Sequence, residues 1–166
     1  MRLRSLAFCV LALLATPFAV RAGDAVLTVT FAGKTTAWTS DDIAALPHQD
    51  VSTFDAHQKK NHVYSGVPMH DLLVKAGTPT GEKLRGAALR NVVVVHSLDN
   101  YVICFSLAEF ESAFNARTIY LVDKEDGQPM GAGAGPLRFV IPGDARPARW
   151  ARMVNSIEVV SVGQGR

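Results

Sequence analysis

The chain has 166 residues, 48% of them hydrophobic, with 17 Lys and Arg against 15 Asp and Glu and two Cys. This length excludes two full-size domains, and the apolar content excludes a disordered chain. A net charge of +2 and only two cysteines also exclude a strongly basic nucleic-acid-binding protein and a disulfide-rich scaffold.

Residues 1–22 predict a secretory signal peptide. Arg2 and Arg4 form its positive start, residues 6–14 are an apolar run, and Ala22 completes a small-residue cleavage site. The run is too short for a membrane span, which needs ~20 residues. Because Arg2 and Arg4 are not adjacent, the signal is typical of the general secretory route and not of twin-arginine export. We therefore expect a periplasmic protein without a membrane span, whose single domain covers residues 23–166.

Removal of this signal changes the composition. Removing 22 of the 166 residues leaves 144, with 14 basic against 15 acidic side chains and a net charge of −1. Cys104 is then the only cysteine, so no intramolecular disulfide can form. A domain of this size buries about 68% of its unfolded surface and needs neither a disulfide nor a metal to fold. We expect no nucleic-acid partner.

The first half of the mature chain predicts three strands and two short helices. Thr39 and Asp42 form a capping-box pattern that starts a helix, and Pro47 ends it. Pro68 and Gly77 mark the two ends of the second helix. The predicted strands cover residues 25–31, 35–38 and 51–56, and the predicted helices cover residues 43–46 and 69–76.

The second half predicts five strands and two helices. Four consecutive valines at 92–95 are typical of a buried strand, and a turn at Asp99-Asn100 pairs it with the next strand as a hairpin. Ser106 and Glu109 repeat the capping-box pattern. The whole pattern predicts one α+β domain. The predicted strands cover residues 91–96, 101–105, 118–122, 137–141 and 157–162, and the helices cover residues 106–114 and 148–154.

A glycine-rich segment and a lone cysteine are the first candidate sites. Gly131, Gly133 and Gly135 lead into Pro136 and a strand, whereas a phosphate-binding loop must lead into a helix. We therefore predict a tight loop with close backbone approach. Alternation places Cys104 beside Val102 on one strand face, which favours a buried, inert thiol. A reactive thiol activated by His96 across the hairpin stays open as an alternative.

Two groups of polar side chains could bind ligands. His57 and His62, with Asp55 just before them, are metal-ligand types, but their spacing is more typical of a solvated loop.

A second group is basic. Arg146, Arg149 and Arg152 recur every three residues, and on a helix Arg149 and Arg152 would share one face. Paired guanidinium groups favour phosphate through charge-assisted hydrogen bonds. The alternative is a solvated or salt-bridged face, with Asp144 and Glu158 as the ion-pair partners.

Five segments then occur in a fixed order: YSGVPMHDLL (64–73), DNY (99–101), GPLRFVIPGD (135–144), RWAR (149–152) and IEV (157–159). Together they resemble the molybdopterin-binding domain of the sulfite oxidase type, in its short stand-alone bacterial form. The resemblance extends from about Thr39 to Val162. It implies the mixed-sheet α+β fold of that family and, by family, a mononuclear molybdenum oxidoreductase.

The resemblance also implies a cofactor site, with one departure. The family's chemistry depends on a cysteine thiolate bound to molybdenum, and the matching loop at 54–58 reads FDAHQ, without a cysteine. Cys104 belongs to a different strand. Arg149 and Arg152 match basic positions near the pterin phosphate. The pocket expected from the resemblance is lined by Asp55, His57, Tyr64, Arg138, Arg149 and Arg152.

Two hypotheses about function follow. The favoured one is an exported member of this family that lacks the cysteine-ligated centre and acts as a periplasmic binding or sensory module for a small molecule or a partner protein. The alternative is an atypical periplasmic oxidoreductase that binds the molybdenum cofactor, with Asp55 or His57 in place of the thiolate. Whether the protein is an enzyme depends on which hypothesis holds.

Overall fold

The computed structural model describes residues 24–163, so the signal peptide predicted for residues 1–22 lies outside the described residues. In this part of the chain, ten strands are connected by loops, two short α-helices and four 3₁₀ turns. The strands are β1 (Leu27–Phe31), β2 (Lys34–Trp38), β3 (Gln49–Asp55), β4 (Lys60–Pro68), β5 (Asn91–Ser97), β6 (Val102–Ser106), β7 (Tyr120–Glu125), β8 (Gln128–Pro129), β9 (Arg138–Val140) and β10 (Val154–Ser161). The helices are α1 (Ser40–Ala44) and α2 (Met69–Lys75), and the 3₁₀ turns cover Gly81–Lys83, Gly86–Arg90, Leu107–Phe110 and Pro147–Arg149.

The strands form two sheets. The first has the order β2-β1-β10-β5-β6, and the second has the order β3-β4-β7-β8, with β9 paired to β7. Within the first sheet β1 and β10 run parallel, and the other neighbours run antiparallel. The last strand of the described chain is therefore the central strand of the first sheet.

The buried faces of both sheets share one hydrophobic core. Val93 and Ile157 of the first sheet and Leu121 of the second are completely buried. Phe105 on β6 contacts Phe139 on β9, with ring centroids 5.8 Å apart, so the core is continuous between the sheets. The expected α+β class and the single domain are confirmed. Within residues 24–163, no helix has the length and apolar character needed to cross a membrane.

Both predicted capping boxes are present, but the helices that follow are short. Asp42 and Thr39 bond reciprocally at the start of α1, and Ser106 and Glu109 do so before Leu107–Phe110. The helix predicted over residues 106–114 is reduced to a 3₁₀ turn because Glu111 adopts an extended backbone.

The helix predicted over residues 148–154 is wrong. Pro147–Arg149 form a 3₁₀ turn, and Met153 adopts a positive φ of 51° immediately before β10 begins. A left-handed residue cannot continue a right-handed helix.

The sequence pattern did not predict β4, which holds His62 in a strand and not in a loop. The inward-facing residues in its first part are His62, Tyr64 and Gly66, and all three are buried. Since these residues are polar, amphipathic or without a side chain, they do not show the apolar alternation that predicts strands.

Candidate functional site

Asp55 closes the turn between β3 and β4. It is the last residue of β3, and its Oδ1 accepts hydrogen bonds from the backbone N–H groups of His57 (2.8 Å) and Gln58 (3.1 Å). An aspartate that accepts from amides shortly after it stabilises a turn. The His57 side chain is exposed on this turn.

The other oxygen of Asp55 joins an internal network with Tyr64 and Arg138. Asp55 Oδ2 accepts from Arg138 Nη2 at 2.8 Å and from the Tyr64 hydroxyl at 3.0 Å, and Arg138 Nη1 donates to the same hydroxyl at 3.2 Å. Asp55 and Tyr64 are fully buried, and Arg138 is 4% exposed. Each oxygen of Asp55 therefore accepts two hydrogen bonds from protein groups, which fills its four acceptor sites.

The network sets the protonation states of Asp55 and Tyr64. Burial raises the pKa of Asp55, but the hydrogen bonds from Arg138, Gln58 and His57 and the charge of Arg138 together outweigh it and set that pKa at about 2. Burial also raises the pKa of Tyr64 far above its ordinary value. At neutral pH the network is thus an ion pair bridged by a neutral phenol.

Aromatic rings enclose the guanidinium of Arg138. Its Cζ lies 5.5 Å from the ring centroid of Tyr64 and 5.5 Å from that of Trp150. The two rings meet edge to face, with centroids 6.2 Å apart. Cation–π contacts of this kind stabilise a desolvated arginine. Asp55, Tyr64 and Arg138 are consequently part of the protein interior, and the expectation that they line an open pocket is wrong.

Arg149 is held by carboxylates. Its Nε and Nη2 donate to the two oxygens of Asp144 at 3.0 and 2.8 Å, and its Nη1 donates to Glu109 Oε2 at 2.8 Å. The hydrogen bonds to Asp144 raise the pKa of Arg149, burial lowers it, and the hydrogen bond to Glu109 raises it, so that the pKa is raised overall. The salt-bridged alternative is confirmed for Asp144, but Glu109 takes the place expected for Glu158.

Arg152 lies apart from Arg149, at a small cleft. Because residues 150–153 are not helical, the two arginines do not share a helix face. Arg152 is exposed, and the arginines that form ion pairs within residues 24–163 are Arg117, Arg138 and Arg149. Tyr101 Oη donates to the carbonyl of Ala148 at 2.8 Å and closes one side of the cleft. The cleft has a volume of about 220 Å³ and is lined by Asp99, Tyr101, Pro147, Ala148, Trp150, Ala151 and Arg152.

The histidine pair is separated. His62 is 5% exposed, and its Nδ1 lies 2.8 Å from Asp126 Oδ2 and 3.0 Å from Glu125 Oε1. The two carboxylates hold Nδ1 of His62, its Nε2 is buried without a hydrogen-bond partner, and His57 remains on the exposed turn. Over the described range, no three His, Cys, Asp or Glu residues are arranged to hold a metal ion.

The prediction of a buried Cys104 is wrong. Cys104 is exposed, on the outer face of the first sheet, because β6 and its neighbours turn only their other face to the core. Its expected alignment with Val102 is confirmed, since both are exposed on β6. The register places Val94 directly opposite Cys104 and His96 one step further along that face.

The glycine-rich segment forms the tight loop that was predicted. A Cβ at Gly135 would lie 2.6 Å from the Cβ of Met130, so only glycine fits there. The segment leads into the strand β9 and not into a helix, as the sequence predicted.

The six predicted site residues therefore fall into separate environments. Asp55, Tyr64 and Arg138 form the internal network, and His57 lies on the adjoining turn. The sequence pattern did not predict the roles of Trp150, Glu109 and Asp126. No local signal could have found them, since Glu109 is 40 residues from Arg149 and Asp126 is 64 residues from His62.

A family model described as "Oxidoreductase molybdopterin binding domain" matches residues 20–164. Among solved structures, the chain is similar to the sulfane dehydrogenase SoxCD from Paracoccus pantotrophus, with a TM-score of 0.61 and 16% sequence identity. That match covers 82% of this chain and 38% of the SoxCD chain. A search of curated protein sequences found no match.

Because the family model covers most of the chain, this protein belongs to the oxidoreductase molybdopterin-binding domain family. The resemblance inferred from the ordered motifs is thereby confirmed. The similarity to SoxCD shows a shared sulfite-oxidase-type fold, and the present chain spans 38% of the length of that neighbour. Membership of this family implies binding of the molybdenum cofactor.

Proposed function

We propose that this protein is a periplasmic binding or sensory module built on the molybdopterin-binding fold, without a cysteine-ligated molybdenum centre. The observation that carries the proposal is that the Asp55 carboxylate is buried and fully hydrogen-bonded within the protein. The resemblance places the metal-binding thiolate in the loop at 54–58, and there Asp55 is fully buried with both oxygens hydrogen-bonded. A metal could reach this carboxylate only if its bonds to Arg138 and to the turn amides were broken.

The residues present do not fit a thiolate-ligated metal elsewhere either. Cys104, the only cysteine of the described chain, lies on the outer face of the other sheet. Arg149 matches a basic position near the pterin phosphate, but Asp144 and Glu109 already neutralise it. The alternative is an atypical molybdenum-cofactor oxidoreductase in which Asp55 or His57 replaces the thiolate, and His57 is the accessible member of that pair.

The cleft at Arg152 is the ligand site that we propose. An exposed guanidinium and the half-exposed ring of Tyr101 lie at its rim, and the buried indole of Trp150 forms part of its wall. A cation next to aromatic surface suits a small anion with a flat apolar part. The volume of about 220 Å³ is below the usual ~300–1,000 Å³ of pockets for drug-sized ligands, so the ligand is small.

Metal content separates the two hypotheses. We expect protein purified from the envelope of its native host to hold far less than one molybdenum atom per chain by elemental analysis. A family member that has the cysteine, purified in parallel, is the positive control. Stoichiometric molybdenum would overturn the proposal. Loss of that molybdenum in His57→Ala alone would then establish the alternative.

Ligand binding is tested with benzoate and inorganic phosphate as probes, by calorimetry. We expect benzoate to bind and Arg152→Gln to weaken binding roughly tenfold or more, the value of one charge-assisted hydrogen bond. Arg146→Gln is the matched control, because Arg146 is an exposed arginine on the same segment that does not line the cleft. Equal effects of the two substitutions, or no binding of either probe, would remove the cleft from the proposal.

The periplasmic location follows from the predicted signal at residues 1–22. Fractionation of the native host is expected to recover the protein in the periplasm with Gly23 as its first residue, as measured by intact mass. An unprocessed chain in the cytoplasm would contradict this location.

A further inference from the structure

A second cleft lies between the start of α2 and the segment at residues 110–119. Its volume is about 260 Å³, and it shares no residue with the cleft at Arg152. The N–H of Met69 donates to the carbonyl of Ile119 at 2.9 Å, which joins α2 to this segment. Residues of α2 thus form one wall of the second cleft, and the segment forms another wall.

Hydrogen bonds within the segment hold its wall in place. The backbone N–H groups of Phe114 and Asn115 both donate to the carbonyl of Glu111, each at 3.0 Å. Asn115 Nδ2 donates to the carbonyl of Glu109 at 2.9 Å. Asn115 Oδ1 accepts from the backbone N–H of Arg117 at 3.1 Å. The wall is therefore ordered before any ligand binds, which lowers the entropic cost of binding.

The two walls carry opposite charges. Asp71 on α2 and Arg117 on the segment both line the cleft, and no other Asp, Glu, Lys or Arg within residues 24–163 does so. Asp71 forms no ion pair within that range. Arg117 is 54% exposed and donates through Nη1 to Asp144 at 3.3 Å, so Nε and Nη2 are available to a ligand. A simple anion in the cleft faces Asp71 and a simple cation faces Arg117, whereas a zwitterion is attracted by both.

His70 adds a hydrogen-bond acceptor next to Asp71. Its Nδ1 lies 3.4 Å from Oε1 of Glu111, whose side chain is 10% exposed. That oxygen is buried and forms no hydrogen bond within residues 24–163. A carboxylate beside one ring nitrogen favours the proton on that nitrogen, so Nε2 of the neutral imidazole is an acceptor. Since His70 also lines the cleft, it and Asp71 can accept from the N–H donors of a primary ammonium group.

We propose that this cleft binds an α-amino acid with an apolar side chain. Arg117 pairs with the α-carboxylate, and Asp71 and His70 accept hydrogen bonds from the α-ammonium group. The apolar side chain lies against Pro68 and Phe110, which also line the cleft. The volume of about 260 Å³ is below the usual ~300–1,000 Å³ of pockets for drug-sized ligands, as a ligand this small requires. This site is independent of the anion-binding cleft of the proposed function.

Calorimetry with L-leucine and two truncated analogues tests the requirement for both charges. Isocaproate keeps the carboxylate and the side chain of leucine, and isoamylamine keeps the ammonium group and the side chain. We expect leucine to bind and each analogue to bind about tenfold more weakly or worse, because each loses one charge-assisted interaction. The proposal is overturned if leucine does not bind, or if either analogue binds as tightly as leucine.

Two substitutions assign the charges to their residues. Asp71→Asn should weaken leucine binding by about tenfold or more without weakening isocaproate binding. Arg117→Gln should weaken leucine binding to a similar extent without weakening isoamylamine binding. Because each variant keeps its binding of one analogue, a loss caused by misfolding is recognised at once. Asp24→Asn and Arg85→Gln are the matched controls, since both residues are exposed and neither lines the cleft. Controls that weaken leucine binding as much as Asp71→Asn and Arg117→Gln would overturn the assignment.

Discussion

Asp55 has a structural role, because its surroundings bury its carboxylate and hydrogen-bond both of its oxygens. Two turn amides and two side chains donate to its carboxylate. These donors compensate for the removal of a charge from water, which is otherwise costly. They also join the β3–β4 turn to β9, so the carboxylate holds together segments that are distant in sequence.

Loss of this charge should be severe. Asp55→Asn leaves Arg138 buried without a counter-ion, and breaking a buried pair in this way costs about 3–5 kcal/mol. Urea unfolding measures the difference. Asp50→Asn, an exposed aspartate on the same strand, should change stability by less than about 0.5 kcal/mol. Similar losses in the two variants would show that the network contributes little.

The low pKa of Asp55 also predicts that the stability of the fold decreases at acidic pH. The pKa of Asp55 is about 2 in the folded protein, below its ordinary value of about 3.9. The unfolded chain therefore takes up a proton first as the pH falls. Stability worth about 2 kcal/mol is present above pH ~4 and is lost as the pH falls toward 2. Urea unfolding measured from pH 5 to pH 2.5 should show the unfolding free energies of the wild type and Asp55→Asn converging. A constant difference between the two free energies would contradict the low pKa assigned to Asp55.

Several site residues were predictable from the sequence, and their environments were not. The ordered motifs identified Tyr64, Arg138 and Arg149 as members of a family pattern. Whether each side chain faces solvent, a partner or the core depends on residues far along the chain. Arg138 is 83 residues from Asp55 and 74 from Tyr64, and no local pattern encodes such a contact.

Among the elements, the pairing of β4 with β7 depends on a glycine. The register shifts between Ser65 and Gly66, and a Cβ at Gly66 would collide with the backbone of Leu121 and Val122. The two strands can approach this closely only where there is no side chain.

Gly66→Ala should therefore destabilise the protein by about 2 kcal/mol or more, as overpacking usually does. Gly131→Ala is the control, since Gly131 has open space around its Cα and no positive φ. We expect that change to stay within about 0.5 kcal/mol in thermal or urea unfolding. Equal behaviour of the two variants would mean that the strands can separate without cost.

Sequence patterns predicted elements well where apolar residues alternate, and poorly where polar residues point inward. β5, β6 and β10 were recognised from their valines and isoleucines. β4 was missed because His62 and Tyr64 carry polar groups into the interior. The helix predicted around Trp150 failed for a related reason, since Trp150 contacts Arg138 across the core instead of packing as part of an amphipathic helix.

At the scale of the whole molecule, the continuous core predicts cooperative unfolding. Trp38 on β2 is 7% exposed and Trp150 near β10 is 4% exposed, so the two indoles report on different parts of one core. Trp38→Phe and Trp150→Phe each leave a single tryptophan, whose fluorescence can be excited selectively. In both variants, fluorescence and circular dichroism should give the same urea midpoint, as for a two-state domain of this size. Separate midpoints within one variant would show that the sheets unfold independently.

The central place of β10 has a consequence for the order in which the protein can fold. Until residues 154–161 are available, the β1–β2 and β5–β6 hairpins have no strand between them, and the first sheet cannot exist as a unit. A chain that emerges from its N-terminus onward, from a ribosome or through a membrane pore, must therefore wait for β10. Folding of the first sheet is delayed until residues 154–161 have been synthesised or transported.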